Sequence, residues 1–204
     1  YQMIGQKTVL EHTVLRLNQL PLQGYVLAIG LDDDVAQSLP FTNMEKAHFC
    51  EGGAERVDSV LNALNYLSII ADADDWVFVH DAARPCVTQD CLVRLVDTAI
   101  QSNTGAILAI PVRDTLKRVA SAQDIQETVD RSQLWQAQTP QIAKLGVLKS
   151  AIEHALAANA VITDEASALE FVGQPVQVVQ GRSDNIKITY PDDLELARLI
   201  LAAQ

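Results

Sequence analysis

The sequence predicts an α/β fold, a mostly parallel sheet covered by helices on both faces, with a projecting β-arm. Three observations carry this. Short apolar runs alternate along the chain with amphipathic segments of helical period. The apolar runs are continuous rather than alternating, as strands buried on both faces require. One stretch, 112–131, holds almost no core material.

In chain order, Lys7 to Leu17 places Leu10, Val14 and Leu17 on one helical face. Tyr25 to Gly30 and Ala47 to Cys50 read as buried strands. After Gly52-Gly53, residues Val57, Val60, Leu61, Leu64 and Leu67 recur at helical spacing. Trp76 to Val79 is a further strand, and Leu92, Leu95, Val96 and Ala99 mark the next helix. Ala106 to Ile110 is a strand, and Val147, Leu148, Ile152 and Leu156 mark a helix. Val176 to Val179 and Ile186 to Thr189 are predicted as late strands. Pro191, suited to a first helical position, opens a closing helix through Leu194, Ala197, Leu199 and Ile200. Within 112–131, Thr115, Val119, Thr128 and Val129 favour two strands around a polar loop near Ser121 to Gln126. Such a hairpin is expected to project from the body and bury itself in a second copy, which predicts a homodimer. A bare surface hairpin is the plainer alternative.

The 204 residues suit one domain, 1–204, with 112–131 as its arm. A hydrophobic content of 49% with 20% charged residues is ordinary for a globular protein. No apolar run approaches the roughly 20 residues of a membrane span. Lys7, Glu11 and His12 interrupt any leader-like stretch near Tyr1, so no signal peptide is expected and a cytoplasmic protein is. Cys50, Cys86 and Cys91 lack metal-ligand spacing and read as thiols in a reducing compartment. The net charge of −11 argues against nucleic acid as a partner. Anionic small molecules stay open, because Arg113, Lys117, Arg118 and Arg131 form one local basic group and Arg182 and Lys187 another.

The chemistry gathers at strand ends, where open α/β sheets bind ligands. His80-Asp81-Ala82-Ala83-Arg84-Pro85 follows the Trp76–Val79 strand directly. Asp81 suits a magnesium ion or a ribose hydroxyl, and Arg84 suits a phosphate oxygen. The same pair reads equally well as a capping aspartate beside an arginine. Gly52-Gly53 precedes a helix start, where free N–H groups and close backbone approach serve a nucleotide, and Ser59 lies one turn in. An ordinary tight turn is the plainer reading there. Thr163-Asp164-Glu165-Ala166-Ser167 puts acids in a first helical turn, a dipole arrangement before anything else. Arg182 to Lys187 brings Asp184 and a lysine to the last predicted strand, and Gln138-Thr139-Pro140-Gln141 ends a short one. No Walker loop, metal-thiolate cluster or Ser-His-Asp arrangement is present. Arginine, lysine, aspartate and threonine at strand ends are the means of positioning and neutralising phosphates.

Taken together, from Gly5-Gln6-Lys7-Thr8-Val9-Leu10-Glu11-His12 to Lys187-Ile188-Thr189, these motifs resemble the 2-C-methyl-D-erythritol 4-phosphate cytidylyltransferase family of the non-mevalonate isoprenoid pathway. The resemblance implies a Rossmann-like three-layer nucleotidyltransferase fold. It also implies transfer of CMP from CTP to the polyol phosphate with magnesium, and release of pyrophosphate. By the same resemblance Asp81, Arg84 and Lys187 serve catalysis, with Asp81 on the metal. Gly53 and Ser59 lie against the nucleotide, and Thr115, Arg131, Thr139, Asp184 and Lys187 bind the polyol phosphate, Arg131 coming from a partner's arm. The family also carries, ahead of the residue matching Tyr1, a strand and a Gly-rich loop with an arginine that wraps the triphosphate. A sheet without that strand would leave two buried edges unpaired. These 204 residues are therefore expected to be part of a longer chain, and by themselves to bind CTP weakly and turn over little. A cytidylyltransferase for another polyol phosphate, such as ribitol 5-phosphate, is the nearest alternative, and the run from Thr163 to Glu170 favours methylerythritol phosphate. A non-catalytic nucleotide-binding module is the alternative from another class.

Overall fold

The computed structural model describes residues 1–120 and 124–204. Of the predicted polar arm loop, Ser121 to Gln123 lies outside the described residues.

A two-residue hairpin, β1 (Met3–Ile4) and β2 (Lys7–Thr8), leads into α1 (Val9–Leu17). The helix starts at Val9 rather than Lys7 because Thr8 caps it. The Thr8 hydroxyl accepts from the Glu11 N–H, and the Glu11 carboxylate accepts from the Thr8 N–H, a capping box. Next come β3 (Tyr25–Ile29), a short α2 (Asp34–Ser38) and β4 (Ala47–Glu51), then α3 (Arg56–Ile70) and β5 (Trp76–Val79). The helix α4 (Gln89–Ser102) precedes β6 (Gly105–Pro111), and the arm consists of β7 (Leu116–Val119) and β8 (Ile125–Val129). Then follow β9 (Trp135–Lys144), α5 (Leu145–Ala157), α6 (Glu165–Phe171), β10 (Val176–Gln180) and α7 (Pro191–Ala203).

The body sheet runs β10-β6-β9-β5. Here the α/β class holds, but the sheet is mixed: β10 and β6 are parallel, while β9 runs against both β6 and β5. The polar Gln136, Gln138 and Gln141 hide β9 from a search for apolar runs, and it is ten residues long rather than short. Helices lie on both faces, giving three layers. On one face Leu64 of α3 packs with Leu148 and Ile152 of α5, Leu169 of α6 and Val77 of β5. On the other, Leu92, Leu95 and Ala99 of α4 pack on Ala106 and Leu108 of β6 and Ile142 of β9.

A second sheet, parallel β3 and β4, stands apart from the first. Among the described residues β3 pairs only with β4, and β5 only with β9. Both strands line one cavity of about 1230 Å³, walled also by Val14 and Leu17 of α1 and Val60, Leu64 and Leu67 of α3.

The strand predicted at Ile186 to Thr189 does not form. Ile186 and Ile188 pack instead against Cys86 and Ala197 of the α7 face. The segment is anchored by a bond from the Ile188 N–H to the Ala83 carbonyl, 2.9 Å. That anchor fastens it to the loop after β5.

Candidate active site

The loop His80–Pro85 leaves β5 where the cavity meets the sheet's carboxyl end, and its shape is set by tertiary hydrogen bonds. The Thr13 hydroxyl donates to the Ala82 carbonyl at 2.7 Å, and the Arg84 N–H closes a turn on the Asp81 carbonyl at 3.0 Å. From β9 below, the Thr139 hydroxyl oxygen accepts from the Asp81 N–H at 3.0 Å. Its own proton is then free for His80 Nδ1, 2.9 Å away. This fixes the tautomer: Nε2 carries the imidazole hydrogen and donates to the Arg84 carbonyl at 3.0 Å. Burial is the main cause that lowers the His80 pKa to about 4, so the ring is neutral at physiological pH.

Asp81 is the centre of charge. Its side chain is 12% exposed, and three cations surround it. Arg56 Nε lies 3.1 Å from Oδ1, whereas Arg84 Nε and Lys187 Nζ approach Oδ2 at 3.4 and 3.3 Å. Burial alone would raise the Asp81 pKa; Arg56, Lys187 and Arg84 outweigh it and hold the carboxylate below its ordinary value. Arg84 is anchored from behind by donating Nη1 to the Asn185 carbonyl at 2.7 Å. Arg56 reaches further, with Nη1 and Nη2 on the two oxygens of Glu165 at 2.7 and 3.1 Å. Burial pushes the Glu165 pKa up, and the bidentate guanidinium opposes it. Three cations against two carboxylates leave the cluster with a positive excess, suited to an anionic ligand.

Of the residues singled out in the sequence, Asp81, Lys187 and Ser59 line the cavity, and Arg84 is bound to Asp81. Gly53 lies beside them with its N–H on the Ser59 hydroxyl, 2.9 Å. The reason for glycine there differs from expectation: a Cβ at residue 53 would sit 2.1 Å from that of Asp58, so the constraint is packing on α3. Thr139 is buried, and its hydroxyl is taken up by Asp81 and His80, which places it beneath the loop. Asp184 is held by Arg182, whose Nε lies 2.8 Å from Oδ1. Thr115 and Arg131 stand at the arm's base, outside the cavity lining; Arg131 donates to the Val112 carbonyl at 3.1 Å and to that of Arg113.

Arg56 and Glu165 do not stand out in the sequence: Glu165 is explained as an acid in a first helical turn, and Arg56 is one charge at a helix start after Gly52-Gly53. Their pairing spans 109 positions and leaves no local trace.

Comparison with known proteins gives a consistent result. The family model described as 2-C-methyl-D-erythritol 4-phosphate cytidylyltransferase matches residues 1–203. A relative of that name from Acinetobacter baumannii is 71% identical over all of this chain and 86% of its own length. Another, from Photobacterium profundum, is 50% identical over 98% of this chain and 87% of its own. Among solved structures, a 4-diphosphocytidyl-2C-methyl-D-erythritol synthase superposes with a TM-score of 0.89 at 40% identity, covering 98% of this chain and 93% of that one. The Francisella tularensis 2-C-methyl-D-erythritol 4-phosphate cytidylyltransferase superposes at 0.87 with 38% identity, covering 98% and 91%.

Proposed function

The chain belongs to the 2-C-methyl-D-erythritol 4-phosphate cytidylyltransferase family, and from that premise we propose how the cluster around Asp81 performs its reaction. The reaction is transfer of CMP from CTP to 2-C-methyl-D-erythritol 4-phosphate in isoprenoid precursor synthesis. An oxygen of the polyol's phosphate attacks the α-phosphorus of CTP; the bond from that phosphorus to the bridging oxygen breaks, and pyrophosphate leaves with the electron pair. No covalent enzyme intermediate is needed, so the protein's task is alignment and charge stabilisation.

In this reading Gly53 and Ser59 take the cytidine side, Asp81 and Arg84 the triphosphate, and Lys187 the phosphate that attacks. Arg84 offers directed donors to phosphoryl oxygens, and Lys187 a mobile point charge. Asp184 and Thr139 support the polyol-phosphate side, Thr139 through its bonds to the loop. Thr115 and Arg131 serve it from the arm, which we assign to a homodimer contact, with Arg131 presented to the neighbouring copy's site. The observation that carries the reading is the Asp81 carboxylate held among Arg56, Arg84 and Lys187 at the cavity wall.

Magnesium fits this site in one form. Among the described residues no three metal-ligating side chains gather, so these residues offer no cage of their own. One partly buried carboxylate is the protein's share for an ion held mainly by phosphate oxygens and water, as magnesium is in nucleotide sites. Asp81 would be that ligand on releasing Lys187 from Oδ2, and the ion would supply neutralisation of phosphate charge. No described helix is long and apolar enough to cross a membrane. A cytoplasmic location agrees with the three free cysteines.

The test is pyrophosphate release from CTP, methylerythritol phosphate and magnesium by the full chain. Turnover is expected with methylerythritol phosphate, and less with ribitol 5-phosphate. Equal rates with the two polyols, or an undiminished rate in Asp81→Asn, would remove the assignment.

A further inference from the structure

Two chains of contact start from β9 and end on Asp81. The shorter is direct: the Thr139 hydroxyl receives the Asp81 N–H and so sets the backbone. The longer runs through side chains. Gln141 of β9 grips the start of α6 with both ends of its amide, donating to Asp164 Oδ2 at 2.9 Å and accepting from the Ala166 N–H at 2.9 Å. Glu165, between those two residues, is 3% exposed and presents both oxygens to Arg56. Arg56 then donates its Nε–H to Asp81 Oδ1 at 3.1 Å.

The two oxygens of Asp81 are therefore held differently. Oδ2 is shared by Arg84 and Lys187, and Lys187 is about half exposed on a flexible stem. Oδ1 has Arg56 alone among the described side chains, and Arg56 is fixed by a two-point clamp on a buried acid. A buried ion pair is a weak source of net stability, because desolvation consumes most of the Coulombic gain. A planar fork satisfied at three points is, however, a precise way to orient a carboxylate.

We propose that Arg56 and Glu165 are positioning residues that set the orientation of the Asp81 carboxylate, Glu165 acting only through Arg56. Glu165 is buried away from the cavity, and Arg56, which reaches the cavity wall, acts in this role through Asp81 and not by binding substrate. This rests on reading Asp81 as a working group of the transfer site, and it adds the device that aims it.

The test uses Arg56→Lys, Arg56→Ala, Glu165→Gln and the double variant Arg56→Lys/Glu165→Gln in the full chain, with Asp81→Asn as reference. Pyrophosphate release is followed while CTP and methylerythritol phosphate are varied separately, and Tm is measured for each. Lysine keeps the charge but cannot hold Glu165 at two points and Asp81 at a third. Arg56→Lys is expected to lower kcat about 30-fold with KM for either substrate changed less than about 3-fold, and Glu165→Gln to lower kcat about 10-fold. The double variant should be no slower than Arg56→Lys, since both act through one contact. Added guanidinium at millimolar levels should restore part of the rate of Arg56→Ala, which a purely structural loss would not allow. Single variants with unchanged kcat, or losses that multiply in the double variant and escape guanidinium rescue, would overturn the proposal. If Asp81→Asn is itself as fast as the parent, the reading of the site fails. If Asp81→Asn is inactive while Arg56→Lys is not impaired, only the positioning role fails.

Discussion

The loop 80–85 and the arm 112–131 both carry residues singled out for the reaction, and the molecule supports them in opposite ways. In the loop, polar groups meet distant parts of the same chain: Thr13, Thr139, Asn185 and Ile188 all bond to it. In the arm, β7 and β8 pair with each other, and among the described residues the side-chain bonds of the two strands stay within the hairpin, Lys117 to Thr128 and Arg118 to Glu127. Val119 and Ile125 are 51% and 63% exposed. A two-stranded hairpin without a packed face is marginal in water. The loop is thus finished within one chain, whereas the arm has spare apolar surface for a cover. The geometry of Asp81 and Arg84 is set by these bonds within the chain, whereas Thr115 and Arg131 stand at the base of a hairpin whose apolar side chains are exposed.

The sharpest break between the two regions is expected on activity. Asp81→Asn keeps the shape and removes the charge around which three cations are arranged, so kcat/KM should fall by about 100-fold or more. Arg131→Ala should raise KM for the polyol phosphate and leave CTP binding, read by calorimetric titration, nearly unchanged. An equal loss in both titrations would erase the distinction between loop and arm. Thr139→Val comes next. It removes the acceptor of the Asp81 N–H and the donor to His80, so about 2 kcal/mol of stability should go and Tm should drop by about 6 °C in thermal denaturation.

The His80 ring extends the contrast to pH. Its folded pKa, about 4, lies below the ordinary 6.5, with Asp81, Arg84 and Arg56 as the charged groups acting on it. An unfolded chain therefore binds a proton here that the folded chain refuses. The stabilisation is complete above pH 6.5 and is lost as pH falls from there toward 4. Guanidinium-chloride unfolding should show this slope in the ligand-free protein, and His80→Gln should flatten it. An unchanged slope in His80→Gln would mean that the ring is not held neutral.

The α/β alternation is plain because β3, β5 and β6 are short apolar runs and α1 and α4 keep a single apolar face. Ile186 to Thr189 misleads because its β-branched alternation serves packing against Cys86 and α7 instead of a ladder. In the site, Asp81 and Arg84 stand out as charges just past the end of β5, and Lys187 as a cation in a segment that reads as a strand but forms none. Glu165 does not, since an acid in a first helical turn already has an explanation in the helix dipole. Only the folded chain brings Arg56 to it across 109 residues.

The smallest expected effect bears on the arm. Arg118 and Glu127 pair across β7 and β8 with side chains 61% and 58% exposed. Water and salt screen such a pair, so Arg118→Ala should cost no more than about 0.5 kcal/mol in the isolated chain. That figure holds only while the hairpin faces solvent. If a second copy covers the arm, the same substitution leaves Glu127 unpaired in a desolvated contact and costs several times more. The penalty should then grow with protein concentration in parallel with dimer formation, measured by sedimentation. A small penalty, constant from dilute to concentrated protein, would place the pair outside any dimer contact and leave only the arm's base, around Arg131, to reach a neighbouring site.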